Sequence, residues 1–141
     1  RMCNGNEEYN NQAKRYKDLN ALKIACANGR FPVRKKYLPH IPKSMIQIIE
    51  KCLKVNKDER YNNVLEIMND LSGIDEKLDW RYKKIDKEKY MWTLYEKKIL
   101  LYKELSYWNV KHNINTERSE IKSLDTKAHG YRIIRKIINM D

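Results

Sequence analysis

The residues best suited to chemistry in this chain are three histidines, His40, His112 and His129, and three cysteines, Cys3, Cys26 and Cys52. Imidazole and thiolate can form a nucleophile–base pair or a zinc site, and both need defined spacing. No Cys-x-x-Cys pair is present, and no histidine has a cysteine or carboxylate at metal-ligand spacing. His40 with Cys52 is the one nucleophile pairing considered, and it lacks a third group to orient it. Cys52 lies among apolar residues, where a thiol is inert and reads as a small core residue. The histidines therefore read as loop or surface residues, and the cysteines as free thiols of a reducing compartment. None of the four glycines falls in a GxGxxG pattern, so no loop is present to cradle a nucleotide phosphate. The chain alone is expected to be neither an enzyme nor a holder of a cofactor or metal.

A second kind of chemistry is base stacking. Trp80, Tyr82, Tyr90, Trp92, Tyr102, Tyr107 and Trp108 are interleaved with lysines in a chain of net charge +11. A sheet that exposes aromatics beside cations can hold single-stranded nucleic acid. Trp80, Tyr82, Trp92, Tyr102 and Trp108 form the candidate interaction face. The competing assignment makes these aromatics the buried face of a small sheet, which has little else to build a core from; that assignment is preferred. The charge is spread evenly. Residues 1–74 carry 14 basic and 8 acidic side chains, and the remainder 16 and 11. The abundance of Lys, Asn, Ile and Tyr matches what an AT-rich genome imposes on any protein. A basic tail, Arg132, Arg135 and Lys136, either meets an acidic partner or suits a helix C-terminus.

The elements that position these residues fall into two groups. Residues 1 to about 15 are polar and asparagine-rich, and read as loop. Asp18 then caps a short helix with Leu19, Leu22, Ala25 and Cys26 at helical spacing, closed by Gly29. A proline-bracketed stretch leads to a second helix, about Lys43 to Lys54, with the stripe Met45, Ile48, Ile49, Cys52 and Leu53. A polar turn over residues 55–60 follows. The third helix begins near Asn63 with Glu66 in a variant capping box, carries Val64, Leu65, Ile67, Met68 and Leu71, and stops at Gly73.

After Ile74 the period changes from helical to two. Leu78, Trp80 and Tyr82 alternate with polar residues, as do Tyr90, Trp92 and Leu94, then Leu101 to Leu105, then Tyr107 and Asn109. Breaks at 86–88 and 96–98 separate the runs, and an antiparallel meander of three or four strands results. Residues 113–130 read as a long polar loop. Tyr131, Ile134, Ile137 and Ile138 predict a terminal helix. The fold expected is α+β, divided into residues 1–74 and 75–141. No apolar run approaches the roughly 18 to 20 residues of a membrane span. No apolar segment follows Arg1 as in a signal peptide. A cut piece of a longer cytoplasmic protein is expected.

The helical half resembles the end of the large lobe of serine/threonine protein kinases. The residues that carry this are Gly29–Arg30–Phe31–Pro32, Ile41–Pro42, Met45-x-x-Ile48–Ile49-x-x-Cys52–Leu53, Asn56 to Arg60, and Asn63-x-x-Glu66–Ile67 with Leu71. Met2–Cys3–Asn4–Gly5 looks like the family's L-x-G stretch before its first helix. The resemblance covers residues 2–74. It implies that Arg60 matches a buried arginine that pairs with a glutamate of the activation segment, through two parallel hydrogen bonds. It also implies a parent that transfers phosphate from ATP with magnesium, although the glycine-rich loop, strand lysine, His-Arg-Asp and Asp-Phe-Gly are absent here. The chain is then a non-catalytic piece that docks the remainder of its parent or a protein partner, with the sheet as an accessory domain. The alternative is a basic nucleic-acid-binding module carried by the sheet. No membrane partner is expected.

Overall fold

The computed structural model describes residues 5–33, 37–75, 79–114 and 117–139. Cys3 and the stretch Met2–Asn4, Leu78, and Met140 lie outside them. The architecture is α+β as expected, and the chain divides into two compact units, Arg1–Glu76 and Lys77–Asp141.

The first unit contains α1 (Gly5–Ala13), α2 (Leu19–Ala27), α3 (Lys43–Cys52), a 3-10 turn (Lys57–Glu59) and α4 (Val64–Ser72). Helix α1 corrects the expectation of a loop. It has no apolar stripe, and what holds it is tertiary. The ring of Tyr9 meets Phe31 edge-on at 5.1 Å, and Tyr16, just beyond α1, meets it at 5.9 Å. Gln12 is buried, donating to Glu8 at 2.9 Å and accepting from the Val33 amide at 2.8 Å. A buried amide side chain bonded on both sides is tolerated where an unpaired one would be costly.

Asp18 caps α2 as predicted, accepting from the Ala21 amide at 2.8 Å. Gly29 follows the helix at φ 66°, a conformation that glycine adopts without penalty. The chain then turns so that Phe31, Ile41 and Ile48 are buried with Ala25. The predicted stripe of α3 holds, with Ile48 buried and Met45, Ile49, Cys52 and Leu53 half-buried. Helix α4 starts at the predicted cap: Asn63 accepts from the Glu66 amide at 3.0 Å. Glu66 reaches back to the Asn62 amide at 3.2 Å, one residue earlier than a standard capping box. Two stripes need correction. Leu19 and Cys26 of α2 are exposed, and so are Val64, Leu65, Met68 and Leu71 of α4. Their spacing is that of a core face, and within the helical unit the described residues leave it exposed.

The second unit is a meander of β1 (Arg81–Asp86), β2 (Lys89–Leu94), β3 (Lys97–Glu104), β4 (Tyr107–Ile114) and β5 (Glu117–Leu124), antiparallel throughout, followed by α5 (Lys127–Asn139). Five strands replace the expected three or four. Two-residue turns separate the first four, so Leu105, expected in a strand, sits in a turn at φ 55° and Lys97–Lys98 belong to β3. The described residues of 113–130 are not a long loop. They complete β4, form β5 and start α5, where Thr126 Oγ1 accepts from the His129 amide at 3.1 Å. Strand β5 escapes the alternation test because it is a polar edge: Leu124 is buried while 119–123 are exposed. Backbone pairing to β4 holds it, and charged edges resist further pairing.

The core of this unit lies between α5 and one sheet face. Tyr90, Trp92, Leu94, Ile99, Leu101, Val110 and Leu124 meet Ile134 and Ile138 there, all buried. Gly130 lets the helix approach closely, since a Cβ at that position would stand 2.5 Å from Leu101 Cδ1. The β4–β5 register shifts between Trp108 and Val110, and Asn109 there is buried, its Oδ1 accepting from the Ser123 amide at 3.1 Å.

Candidate functional site

In the helical unit the candidate surface is the turn between α3 and α4 with the outer face of α4. Arg60 is exposed, not buried. Its Nε donates to the Lys54 carbonyl at 2.7 Å and its Nη2 to the Val55 carbonyl at 3.4 Å. These carbonyls follow the end of α3, where helix acceptors lack internal donors and a cation is favoured. Among the described residues no carboxylate pairs with Arg60. Next to it, Tyr61 donates to Asp70 of α4 at 2.6 Å, while Lys51 of α3 stands 3.9 Å above its ring. The turn is thus clasped from both helices by residues 51, 60, 61 and 70. Sequence reasoning points to Arg60 and misses Tyr61, whose partners become visible only once the two helices are paired.

The hydrogen bond to Asp70 raises the Tyr61 phenol from its usual value of 10 to about 12. The bond from Tyr102 to Glu120 does the same for Tyr102, again to about 12. A phenol whose folded pKa lies above its unfolded value stabilises below pH 10, and that contribution is lost as pH rises through about 12. In an alkaline titration of phenolate absorbance, these two of the ten tyrosines should ionise late. Asp70→Asn should bring Tyr61 back toward 10 and Glu120→Gln should do so for Tyr102. An unchanged titration in both variants would mean that neither carboxylate holds its phenol.

In the sheet unit the five predicted aromatics do not share one face. Tyr82 and Trp92 are direct register partners, and their rings lie 5.2 Å apart on the side covered by α5. Trp108 is on that same side, 6.1 Å from Tyr90. Trp92 is fully buried and meets Tyr131 of α5 edge-on at 6.0 Å. Lys127 at the start of α5 places its Nζ 3.6 Å over the Tyr90 ring and 5.2 Å from Tyr131, which fastens the helix to the sheet. Trp80, just ahead of β1, is 3% exposed. Only Tyr102 lies on the opposite, uncovered face, with its hydroxyl tied to Glu120. Tyr102 apart, these aromatics belong to the core side of the sheet, which is the assignment the sequence favours.

Sequence reasoning does not single out the uncovered face. Register places Arg81, Thr93, Lys98 and Asn113 in one row across β1 to β4. The next row holds Lys83, Met91, Leu100, Lys111 and Glu120. The signal is present in the sequence as the polar half of each alternating run, but the rows exist only after pairing.

A shallow depression of about 580 Å³ lies at one end of the sheet, lined by Asp79, Trp80, Arg81, Thr93, Leu94 and Tyr95. The indole Nε1 of Trp80 and Nδ1 of His112 are buried without a hydrogen-bond partner. Among the described residues no group of three or more His, Cys, Asp or Glu side chains could hold a metal ion. No helix of the described residues is long and apolar enough to cross a membrane.

Comparison with protein-family models, with curated proteins and with solved structures finds no match to this chain.

Proposed function

We propose that the chain is the non-catalytic C-terminal piece of a cytoplasmic protein-kinase-like protein, with the helical unit docking against the remainder of its parent. The observation that carries this reading is the outer face of α4. Val64, Leu65 and Met68 are 69%, 65% and 59% exposed although they follow the spacing of a core stripe. A helix with that pattern normally buries it, and a contiguous exposed apolar patch marks a contact surface. The order of α2, α3, the Arg60 turn and α4 supplies the resemblance, and Arg60 remains accessible to a carboxylate from elsewhere. The free thiols Cys26 and Cys52 suit a reducing compartment. ATP and magnesium would belong to the parent, which would phosphorylate serine or threonine.

The test is to express the reading frame extended upstream of the Arg1 codon and follow amide hydrogen exchange over 64–72. The reading expects an upstream His-Arg-Asp and Asp-Phe-Gly, together with slower exchange in α4 than in this chain alone. A start codon directly before Arg1, or unchanged exchange in a longer product, would sink it. The nucleic-acid alternative, in its form with stacked aromatics, is weakened by α5 covering Trp92 and its neighbours.

A further inference from the structure

The uncovered sheet face is charged in a patterned way. Arg81, Lys83 and Lys98 are exposed, and among the described residues none of them forms an ion pair. The row Arg81–Thr93–Lys98–Asn113 contains no acid at all. In the next row the single acid, Glu120, is occupied by the Tyr102 hydroxyl and by Lys122 at 3.5 Å. Asp86, Glu88 and Glu104 sit toward the opposite end of the strands together with Lys87, Lys89 and Lys103, and Glu88 is neutralised by Lys103 at 3.1 Å, while Glu117 begins β5 at the basic end. Asp79 and Glu96 border the basic end from outside the strands.

Sheet geometry sets the spacing. Arg81 and Lys83 are two residues apart on one strand, about 7 Å, and Arg81 and Lys98 are two strands apart, about 10 Å. The shorter of these two steps is comparable to the separation of successive phosphates along an extended nucleic-acid strand. Thr93, between Arg81 and Lys98, adds a neutral donor. Met91 and Leu100, half-buried in the middle, offer sugars a shallow apolar floor. Among the described residues of this unit the one helix, α5, packs on the other face, so none stands here to enter a duplex groove.

We infer that the open face of the sheet, through Arg81, Lys83, Lys98 and Lys111, binds the sugar–phosphate backbone of a single nucleic-acid strand without reading its sequence. This is the face opposite Tyr82, Tyr90, Trp92 and Trp108, and the inference does not depend on the kinase reading. Its test is fluorescence anisotropy of the full chain with a labelled oligothymidylate across a salt series. With about three to four phosphates neutralised, log K against log salt should fall with a slope of roughly −2 to −3. Arg81→Gln with Lys98→Gln should flatten that slope by roughly 1.4 and weaken binding about tenfold at low salt. Arg132→Gln with Lys136→Gln, two exposed cations of α5, removes the same charge elsewhere in the unit and should change little beyond a small general effect.

Equal losses in the two double variants would overturn the assignment of the face. Blunt duplex binding more tightly than the single strand, or polyglutamate competing as well as oligothymidylate at equal charge, would overturn the choice of ligand. Failure to bind at low salt would overturn both. Each of these results leaves the hydrogen-exchange test of α4 untouched, so the two readings fail separately.

Discussion

Trp92→Ala should remove most of the stability of the sheet unit. Trp92 is fully buried, lies beside Ile99 in register, and carries the ring contacts to Tyr82 and Tyr131 that join the sheet to α5. Truncating a buried tryptophan to alanine costs about 3–5 kcal/mol, the lost transfer energy plus the cavity left behind. Domains of this size are stable by only about 0.05–0.15 kcal/mol per residue, so the loss is comparable to the whole. The measurement is urea unfolding followed by tryptophan fluorescence. All three tryptophans, Trp80, Trp92 and Trp108, belong to residues 77–141, so the signal reports on the sheet unit alone. The variant should show little or no folded baseline. A shift of the midpoint worth less than about 1 kcal/mol would mean that Trp92 is not the centre of this core.

Gly130→Ala should also destabilise, against the usual sign for a glycine in a helix. Alanine is favoured over glycine in a helix interior by about 1 kcal/mol. Here the new methyl carbon would stand 2.5 Å from Leu101 Cδ1, and Leu101 is fully buried. Overpacking of this kind costs about 1–3 kcal/mol, so after the propensity gain of about 1 kcal/mol the net loss is up to about 2 kcal/mol. Leu101→Val shortens the opposing side chain, so the double variant should lose less than the sum of the two single ones. A more stable Gly130→Ala protein would show that α5 does not approach the sheet as closely as this, and additivity in the double variant would point the same way.

Elements that follow local rules are legible in the order of residues alone. Asp18, Asn63 and Gly73 mark helix ends, and Tyr131 to Ile138 mark the terminal helix, because caps and the 3.6-residue period involve only near neighbours. The passage from helix to strand after Ile74 shows as a change of period. Polar segments are not legible in this way. Helix α1 and strand β5 have no apolar pattern. Their order comes from Gln12 and Phe31 in one case and from the backbone of β4 in the other.

The candidate sites divide along the same line. Arg60 stands out through a resemblance, but its observed partners are backbone carbonyls six and five residues earlier, which no side-chain pattern announces. The aromatics form one group along the chain, and only pairing separates Tyr102 from Tyr82, Trp92 and Trp108. The basic rows escape a linear reading because their successive members are 5 to 15 residues apart along the chain and become neighbours only across strands.

By itself, then, the amino-acid order determined where the helices are capped, where the strands alternate, and that the chain is α+β with a boundary near residue 75. The tertiary structure alone decided which faces are covered. It buried Trp92 under α5, left Val64, Leu65 and Met68 of α4 open, and assembled Arg81, Lys83 and Lys98 on one surface. The reason is physical: period and capping are local properties, whereas burial depends on what the rest of the chain places against each face.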